Sequence, residues 1–94
     1  MVISSLRAAL KDPDAKVRAQ ATKAIGYMGP DAAEAAPDLV MMVVSGVDAA
    51  EAMDALREIG EAAVPHILPL LDEDGRLRKA AEDVLALLGC GFEA

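Results

Sequence analysis

The sequence predicts an all-α protein, an α-solenoid in which three helical hairpins, six helices in all, stack side by side. Strong helix formers such as Ala, Leu, Glu and Lys dominate the chain. No alternation of apolar and polar residues persists over the length that a strand needs. A pattern of apolar residues ending in glycine returns about every 30 residues, as in stacked two-helix repeats. The 94 residues are expected to form a single domain, residues 1–94.

The repeat is clearest in the second helix of each hairpin. Gly29, Gly60 and Gly89 align the three copies, and the residues one, four, five and eight positions earlier are apolar in every copy. This spacing places them on one stripe of a helix. The position eight residues before each glycine is always alanine, which allows close approach of neighbouring helices: Ala21, Ala52 and Ala81.

The first hairpin is predicted over residues 2–28, with helices at 2–11 and 14–28. Pro suits the first turn of a helix and Asp suits its N-cap, so Asp12-Pro13-Asp14 ends one helix and begins the next. Gly26 and Gly29-Pro30 are expected to end the second helix, because glycine accepts a left-handed backbone and proline cannot continue a helix.

The second hairpin is predicted over residues 35–59, with helices at 35–45 and 48–59. Pro37 opens its first helix. The apolar run Val40–Val44 could form a buried strand, but its helical neighbours favour the interior of a helix. Asp48 with Glu51 three residues later resembles a capping box at the start of the next helix.

The third hairpin is predicted over residues 62–88, with helices at 62–71 and 75–88. Pro65 lies early in the first of these helices, and Pro69 is expected to bend it. The acidic turn before Gly75 leads into the last helix, which is expected to end at Gly89.

Two segments and two linkers carry a family resemblance. Leu10–Gly29 and Leu70–Gly89 resemble the second half of a HEAT repeat, and the linkers Gly29–Leu39 and Gly60–Leu68 are typical of the short-period subclass known from phycobilisome lyases. The resemblance covers about residues 2–89. It implies a right-handed superhelix of the armadillo or HEAT type, and it is specific for fold rather than for function.

The resemblance also implies a ladder of ion pairs between repeats. An Asp between the helices of a hairpin and an Arg early in its second helix form each rung, which here are Asp12 with Arg18 and Asp72 with Arg78. Position 49 is Ala where the family has Arg. The ladder is therefore expected to be interrupted at the middle hairpin, which is expected to pack at an altered angle.

Composition argues against several classes of partner. The net charge of −7, from 9 basic and 16 acidic residues, is unfavourable for tracking the phosphates of a nucleic acid. Aromatic residues are only 2% of the chain, too few for a base-stacking platform. No apolar run reaches the roughly 18 residues of a membrane span, and no secretory signal is visible. A lone Cys90 fits a reducing compartment, so we expect a cytoplasmic protein.

No catalytic motif is visible in the sequence. His66 is the only histidine and has no ligand-type neighbour at metal-binding spacing. Cys90 is interpreted as a small apolar residue near a helix end rather than as a nucleophile. We therefore expect no enzyme activity, no metal and no cofactor.

The candidate binding surface follows from the resemblance, because second helices line the concave face of HEAT repeats. The outward positions of these helices grade from basic to acidic and include the only tyrosine, a residue favoured at interface hot spots. The alternative is an ordinary solvated helix face. The residues expected to contact another protein are Lys23, Tyr27, Asp54, Glu58 and Asp83.

Three functions remain open from the sequence. The first is a non-catalytic protein-interaction module or scaffold. The second, which the family name implies, is a bilin lyase or chaperone-like subunit, and it would need a pocket of tetrapyrrole size. The third is a structural module that self-associates as a homodimer, or a fragment of a longer solenoid. Self-association would use apolar residues of the terminal hairpins: Val2, Ile3, Leu6, Leu10, Val84, Leu85, Leu87 and Leu88.

Overall fold

The computed structural model describes residues 2–72 and 75–88. Gly89 and Cys90 lie outside the described residues, as does the side chain of Val2. Across the two described ranges the chain is helices and turns, with no strand. The apolar run Val40–Val44 lies inside a helix, which confirms the helical interpretation of this segment.

Within residues 2–72 and 75–88 the helical residues form four continuous stretches, so the prediction of six separate helices is wrong. Short 3₁₀ segments connect α-helical segments end to end instead of leaving open loops, as is usual for such tight connectors. The first and last stretches are α1 (Val2–Ala9) and α6 (Gly75–Leu87). The second runs from α2 (Ala15–Met28) through a 3₁₀ linker (Gly29–Ala35) into α3 (Ala36–Ser45). The third runs from α4 (Ala49–Ile59) through 3₁₀ residues Gly60–Ala63, α5 (Val64–Ile67) and 3₁₀ residues Leu68–Asp72.

The two helix starts with predicted Asp caps differ. At α2 the prediction is confirmed, because Asp14 Oδ1 accepts a hydrogen bond of 2.8 Å from the backbone N–H of Lys16. At α4 the predicted capping box is wrong. Asp48 has a left-handed backbone with φ of 54°, and its side chain makes no cap hydrogen bond because it faces Arg18 instead.

The repeat alignment is visible in the backbone at the ends of α2 and α4. Gly29 has φ of 61° and ψ of −136°, and its counterpart Gly60 has φ of 70° and ψ of −146°. Only glycine enters this region without strain. Gly26 does not end α2 as expected, since it lies within the helix and has no positive φ.

Replacing Gly29 by Ala is expected to lower the free energy of unfolding by about 1–3 kcal/mol, because the side chain forces a strained backbone. The added Cβ would also lie 3.5 Å from the carbonyl oxygen of Glu58. Urea denaturation followed by circular dichroism measures the change. Gly26→Ala is the control, because that backbone is helical. A Gly29→Ala variant as stable as the parent protein would contradict this account.

The core is one cluster shared by all three hairpins. The residues four positions before the aligned glycines, Ile25, Leu56 and Leu85, are completely buried. The alanines of the repeat, Ala21, Ala52 and Ala81, are at most 3% exposed. The predicted apolar stripe is therefore the stripe that forms the core.

The hairpins do not pack in an even row. Helix α2 packs along α4, whereas α6 packs mainly on α3 and on the 3₁₀ residues Leu68–Asp72 and touches α4 little. The first arm of the third hairpin is short, because the α-helix ends at Ile67 and continues as 3₁₀ turns through Pro69. The helix was expected to run to residue 71 with a bend at Pro69, but α-helical geometry gives way to 3₁₀ turns at Leu68. The irregular packing falls on the third hairpin.

Most apolar residues expected to mediate self-association pack within the chain. Ile3, Leu10, Val84 and Leu85 are buried in the common core, and Leu6 and Leu88 pack against it. Self-association through the terminal hairpins stays a prediction. Within residues 2–72 and 75–88, no helix combines the length and apolar character that crossing a bilayer requires.

Candidate functional site

A groove of about 440 Å³ runs between α2 and α4 on the protein surface. It exists because the facing residues are small: a Cβ built on Gly26 would lie 3.6 Å from Ala55 Cα, so the backbones approach closely and no large side chain fills the space above them. From α2 the groove is lined by Ala19, Thr22, Lys23, Gly26 and Tyr27. From α4 it is lined by Glu51, Asp54, Ala55 and Glu58.

The floor of the groove is buried and satisfied. Gly26 and Ala55 are buried, and Thr22 is only 1% exposed. The hydroxyl of Thr22 donates a 2.8 Å hydrogen bond to the carbonyl of Arg18 one turn earlier. The floor is therefore closed to solvent, and the hydroxyl of its one polar side chain, Thr22, is already paired.

The two edges of the groove have opposite character. On the α2 edge stand Lys23 and Tyr27, with Tyr27 83% exposed. On the α4 edge stand three exposed carboxylates, Glu51, Asp54 and Glu58. Among the ion pairs of the described residues, only Asp54 takes part, at 3.6 Å from Arg57 Nη1 on the same helix. Such an exposed pair is weak, so the α4 edge stays open to a cationic partner.

The structure brings four of the five residues predicted to bind a partner to this one groove, namely Lys23, Tyr27, Asp54 and Glu58. Asp83 is elsewhere, on α6, where it lies 3.3 Å from Lys79 Nζ. Because α6 packs on α3, the expected surface across three hairpins is instead a groove between two. Glu51 was missed among the candidate residues, although it lies one turn before Asp54 on the same face of α4.

Arg18 forms a link between hairpins, but with a different carboxylate from the one expected. Its Nε donates to Asp48 Oδ2 at 2.8 Å, and its Nη1 donates to the carbonyls of Asp12 at 2.8 Å and Pro13 at 3.0 Å. The carboxylate of Asp12 accepts the N–H of Asp14 instead. Arg18 therefore joins the first hairpin to the turn before α4.

The second expected rung is not formed within residues 2–72 and 75–88. Arg78 Nε lies 3.4 Å from Glu82 Oε2 on its own helix, and no ion pair of this part of the chain joins it to Asp72. Arg18 reaches a carboxylate in the hairpin that follows it.

A second ion cluster, which the sequence did not predict, joins α1 and the turn after it to α3. Arg7 Nε donates to Asp38 Oδ2 at 2.6 Å, and Lys11 Nζ lies 3.7 Å from Asp38 Oδ1. The hydrogen bond and the negative charge of Asp38 raise the pKa of the Arg7 guanidinium. The first two hairpins are thus connected by ion pairs at two places, both remote in sequence.

No metal-binding constellation occurs in the described ranges: no group of three or more His, Cys, Asp or Glu side chains converges there. The carboxylates of the groove are spaced along one edge of a helix, in contact with solvent. Carboxylates spaced in this way can each contact a different part of a ligand that lies along the groove.

Replacing Gly26 by Ala is expected to raise the free energy of unfolding by about 0.5–1 kcal/mol, because alanine is the better helix former. The space allows it: the added Cβ would meet Ala55 and Glu58 at 3.6–3.8 Å, which is ordinary contact. Thermal denaturation by circular dichroism checks the direction. A lowered melting temperature would mean that α2 and α4 cannot separate even slightly to admit a methyl group.

The fold and the groove define a class: a helical-repeat protein in which paired helices share one core and leave a surface between second helices. Residues 3–86 match the family model of HEAT repeats. The chain belongs to the HEAT-repeat family. Comparisons with curated proteins and with solved structures give no match.

Proposed function

We propose that this chain is a non-catalytic protein-interaction module, a short α-solenoid that binds a segment of another protein in the groove between α2 and α4. HEAT repeats are generally scaffolds for protein interactions. The observation that carries the proposal is the convergence of Tyr27, Lys23 and three carboxylates around a buried floor.

The groove combines three features of protein interfaces: an exposed tyrosine, an apolar floor and charged edges. An exposed tyrosine supplies a large contact surface with few rotatable bonds, which makes it effective at interface hot spots. Apolar surface covered on binding contributes about 25 cal/mol per Å². Charged groups at the edges add orientation and speed of association more than affinity.

The other functions weighed from the sequence have less support. The groove carries one aromatic side chain, Tyr27, and nothing in it favours a tetrapyrrole over a peptide. Self-association through the terminal hairpins has less support among the described residues, because four of the side chains expected at that interface are buried in the core: Ile3, Leu10, Val84 and Leu85. The family is generally non-catalytic, in line with an interaction role.

The test is capture of a partner from the source lysate by three forms of the protein. The groove variant carries Tyr27→Ala and Glu58→Ala, and the control variant carries Lys79→Ala and Asp83→Ala, which removes an exposed ion pair on α6. Light scattering and circular dichroism first establish that all three have the same mass and fold.

We expect the parent protein and the control variant to retain the same protein, and the groove variant to retain at least about tenfold less of it, as for loss of hot-spot residues. Equal retention by the groove variant would contradict the proposal. Loss in the control variant alone would place binding on α6.

A further inference from the structure

We propose that the α2/α4 groove recognises an arginine-bearing segment of its partner, with the guanidinium held between Tyr27 and the carboxylates of α4. This inference rests on the proposed function and specifies the chemistry of the partner. Four observations carry it: the acidic edge, the position and exposure of Tyr27, the largely apolar floor, and the charge balance.

The acidic edge of the groove consists of carboxylates at helical spacing on α4. Glu51, Asp54 and Glu58 follow one face of α4 at helical spacing and line the same groove, so they span about 10 Å along its length. Glu51 and Glu58 take part in none of the ion pairs among the described residues, and Asp54 has only the 3.6 Å contact with Arg57. The edge therefore has uncompensated negative charge available to a cation.

Tyr27 lines the same groove from α2. The two helices are close at this point, because Glu58 Cγ lies 3.7 Å from the Cβ position of Gly26, the residue before Tyr27. Tyr27 is 83% exposed among the described residues. A guanidinium can stack flat on an aromatic ring while its N–H groups point to carboxylates, which an ammonium group does less well.

The floor of the groove can contact the aliphatic part of an arginine side chain. Thr22, Gly26 and Ala55 form a largely apolar surface at the bottom of the groove. An arginine can lay its methylene groups on such a surface and keep its charged head at the edge. Lys23, one turn before Tyr27, lines the same groove and repels a cation there, which directs the guanidinium toward Tyr27 and Glu58.

The charge balance disfavours the other occupants. The groove has one lysine against three carboxylates, and the whole chain carries a net charge of −7. An acidic segment or a nucleic acid would bring like charge to the acidic edge, and the net charge of a second copy of this chain would oppose its approach. A basic peptide is the complementary partner.

The first experiment uses four fluorescein-labelled peptides of equal length on a common Ala/Ser background, bearing arginines, lysines, glutamates or glutamines at the same positions. Fluorescence anisotropy at low and at physiological salt measures binding to the full chain. The ¹H–¹⁵N correlation spectrum locates the contact. We expect the arginine peptide to bind best and to shift amide signals of residues 19–27 and 51–58.

Variants then separate the contributions. Glu58→Gln together with Glu51→Gln is expected to weaken the arginine peptide about tenfold, as for loss of charge-assisted hydrogen bonds. Tyr27→Leu is expected to weaken it about fivefold, whereas Tyr27→Phe, which keeps the ring, stays within about twofold. Lys79→Ala, distant from the groove, serves as the matched control and is expected to bind as the parent protein does.

The outcomes distinguish the two proposals. Tightest binding of the glutamate or glutamine peptide in the groove overturns the arginine assignment and leaves the proposed function standing. Equal binding of the arginine and lysine peptides, with no effect of Tyr27→Leu, also overturns the assignment. If no peptide shifts groove signals, the assignment is wrong. If the lysate partner is also retained by the groove variant, the proposed function is wrong as well.

Discussion

Replacing Arg18 by Ala is expected to lower the free energy of unfolding by about 2–3 kcal/mol, because one side chain satisfies three acceptors at a junction between hairpins. The side chain of Arg18 is 19% exposed and that of Asp48 is 22% exposed, so water cannot fully replace the lost donors. The variant leaves the carboxylate of Asp48 and the carbonyls of Asp12 and Pro13 without their partner. Urea denaturation with a shared m-value measures the loss.

The matched control is Arg78→Ala, at the equivalent position of the third hairpin. The side chain of Arg78 is 58% exposed and its one ion pair is a 3.4 Å contact within α6. Its removal is expected to change stability by no more than about 0.5 kcal/mol. Equal costs for Arg18→Ala and Arg78→Ala would show that the link from Arg18 to Asp48 does not hold the hairpins together.

Replacing Leu56 by Ala is expected to lower the free energy of unfolding by about 3–4 kcal/mol, the typical cost of a cavity in a packed core. Leu56 is completely buried in the central hairpin, at a position of the repeated stripe. Small domains have a total stability of only about 5–15 kcal/mol. The melting temperature is therefore expected to fall by about 12 °C or more.

The control for this cavity is the same substitution at a leucine that faces water. Leu68 is 45% exposed, at the start of the 3₁₀ turns after α5. Leu68→Ala is expected to cost less than about 1 kcal/mol, since little buried surface is lost. A small effect at Leu56 would mean that the hairpins collapse around the cavity and that the core is not a single packed unit.

The helical architecture could be predicted from the sequence because it depends on residues only a few positions apart. Glycines ended α2 and α4 where the alignment of repeats placed them, and the stripe containing Ile25, Leu56 and Leu85 became the core. Periodicity of 3.6 residues and helix-ending residues act over one or two turns, so a single sequence displays them. The error of six separate helices has a local cause as well: alanine-rich linkers continue as 3₁₀ turns rather than as loops.

Much of the candidate site was also predictable. Lys23 and Tyr27 lie one turn apart on α2, Asp54 and Glu58 lie one turn apart on α4, and the repeat alignment pairs the two helices. Asp83 was included because the same alignment assumes that all hairpins pack alike. The third hairpin breaks this assumption, since its first arm is shortened around Pro69 and α6 packs on α3.

The sequence by itself determined the helices, their repeat, the buried stripe and the charge of each helix face, because these depend on residues a few positions apart. The tertiary structure alone decided which carboxylate Arg18 contacts, that Asp38 joins α1 to α3, and that only two helices form the groove. These contacts connect residues about one repeat apart in the chain. The chain has more acidic residues than arginines, so the sequence does not show which carboxylate pairs with which arginine. The packing of the hairpins decides which carboxylate lies within reach.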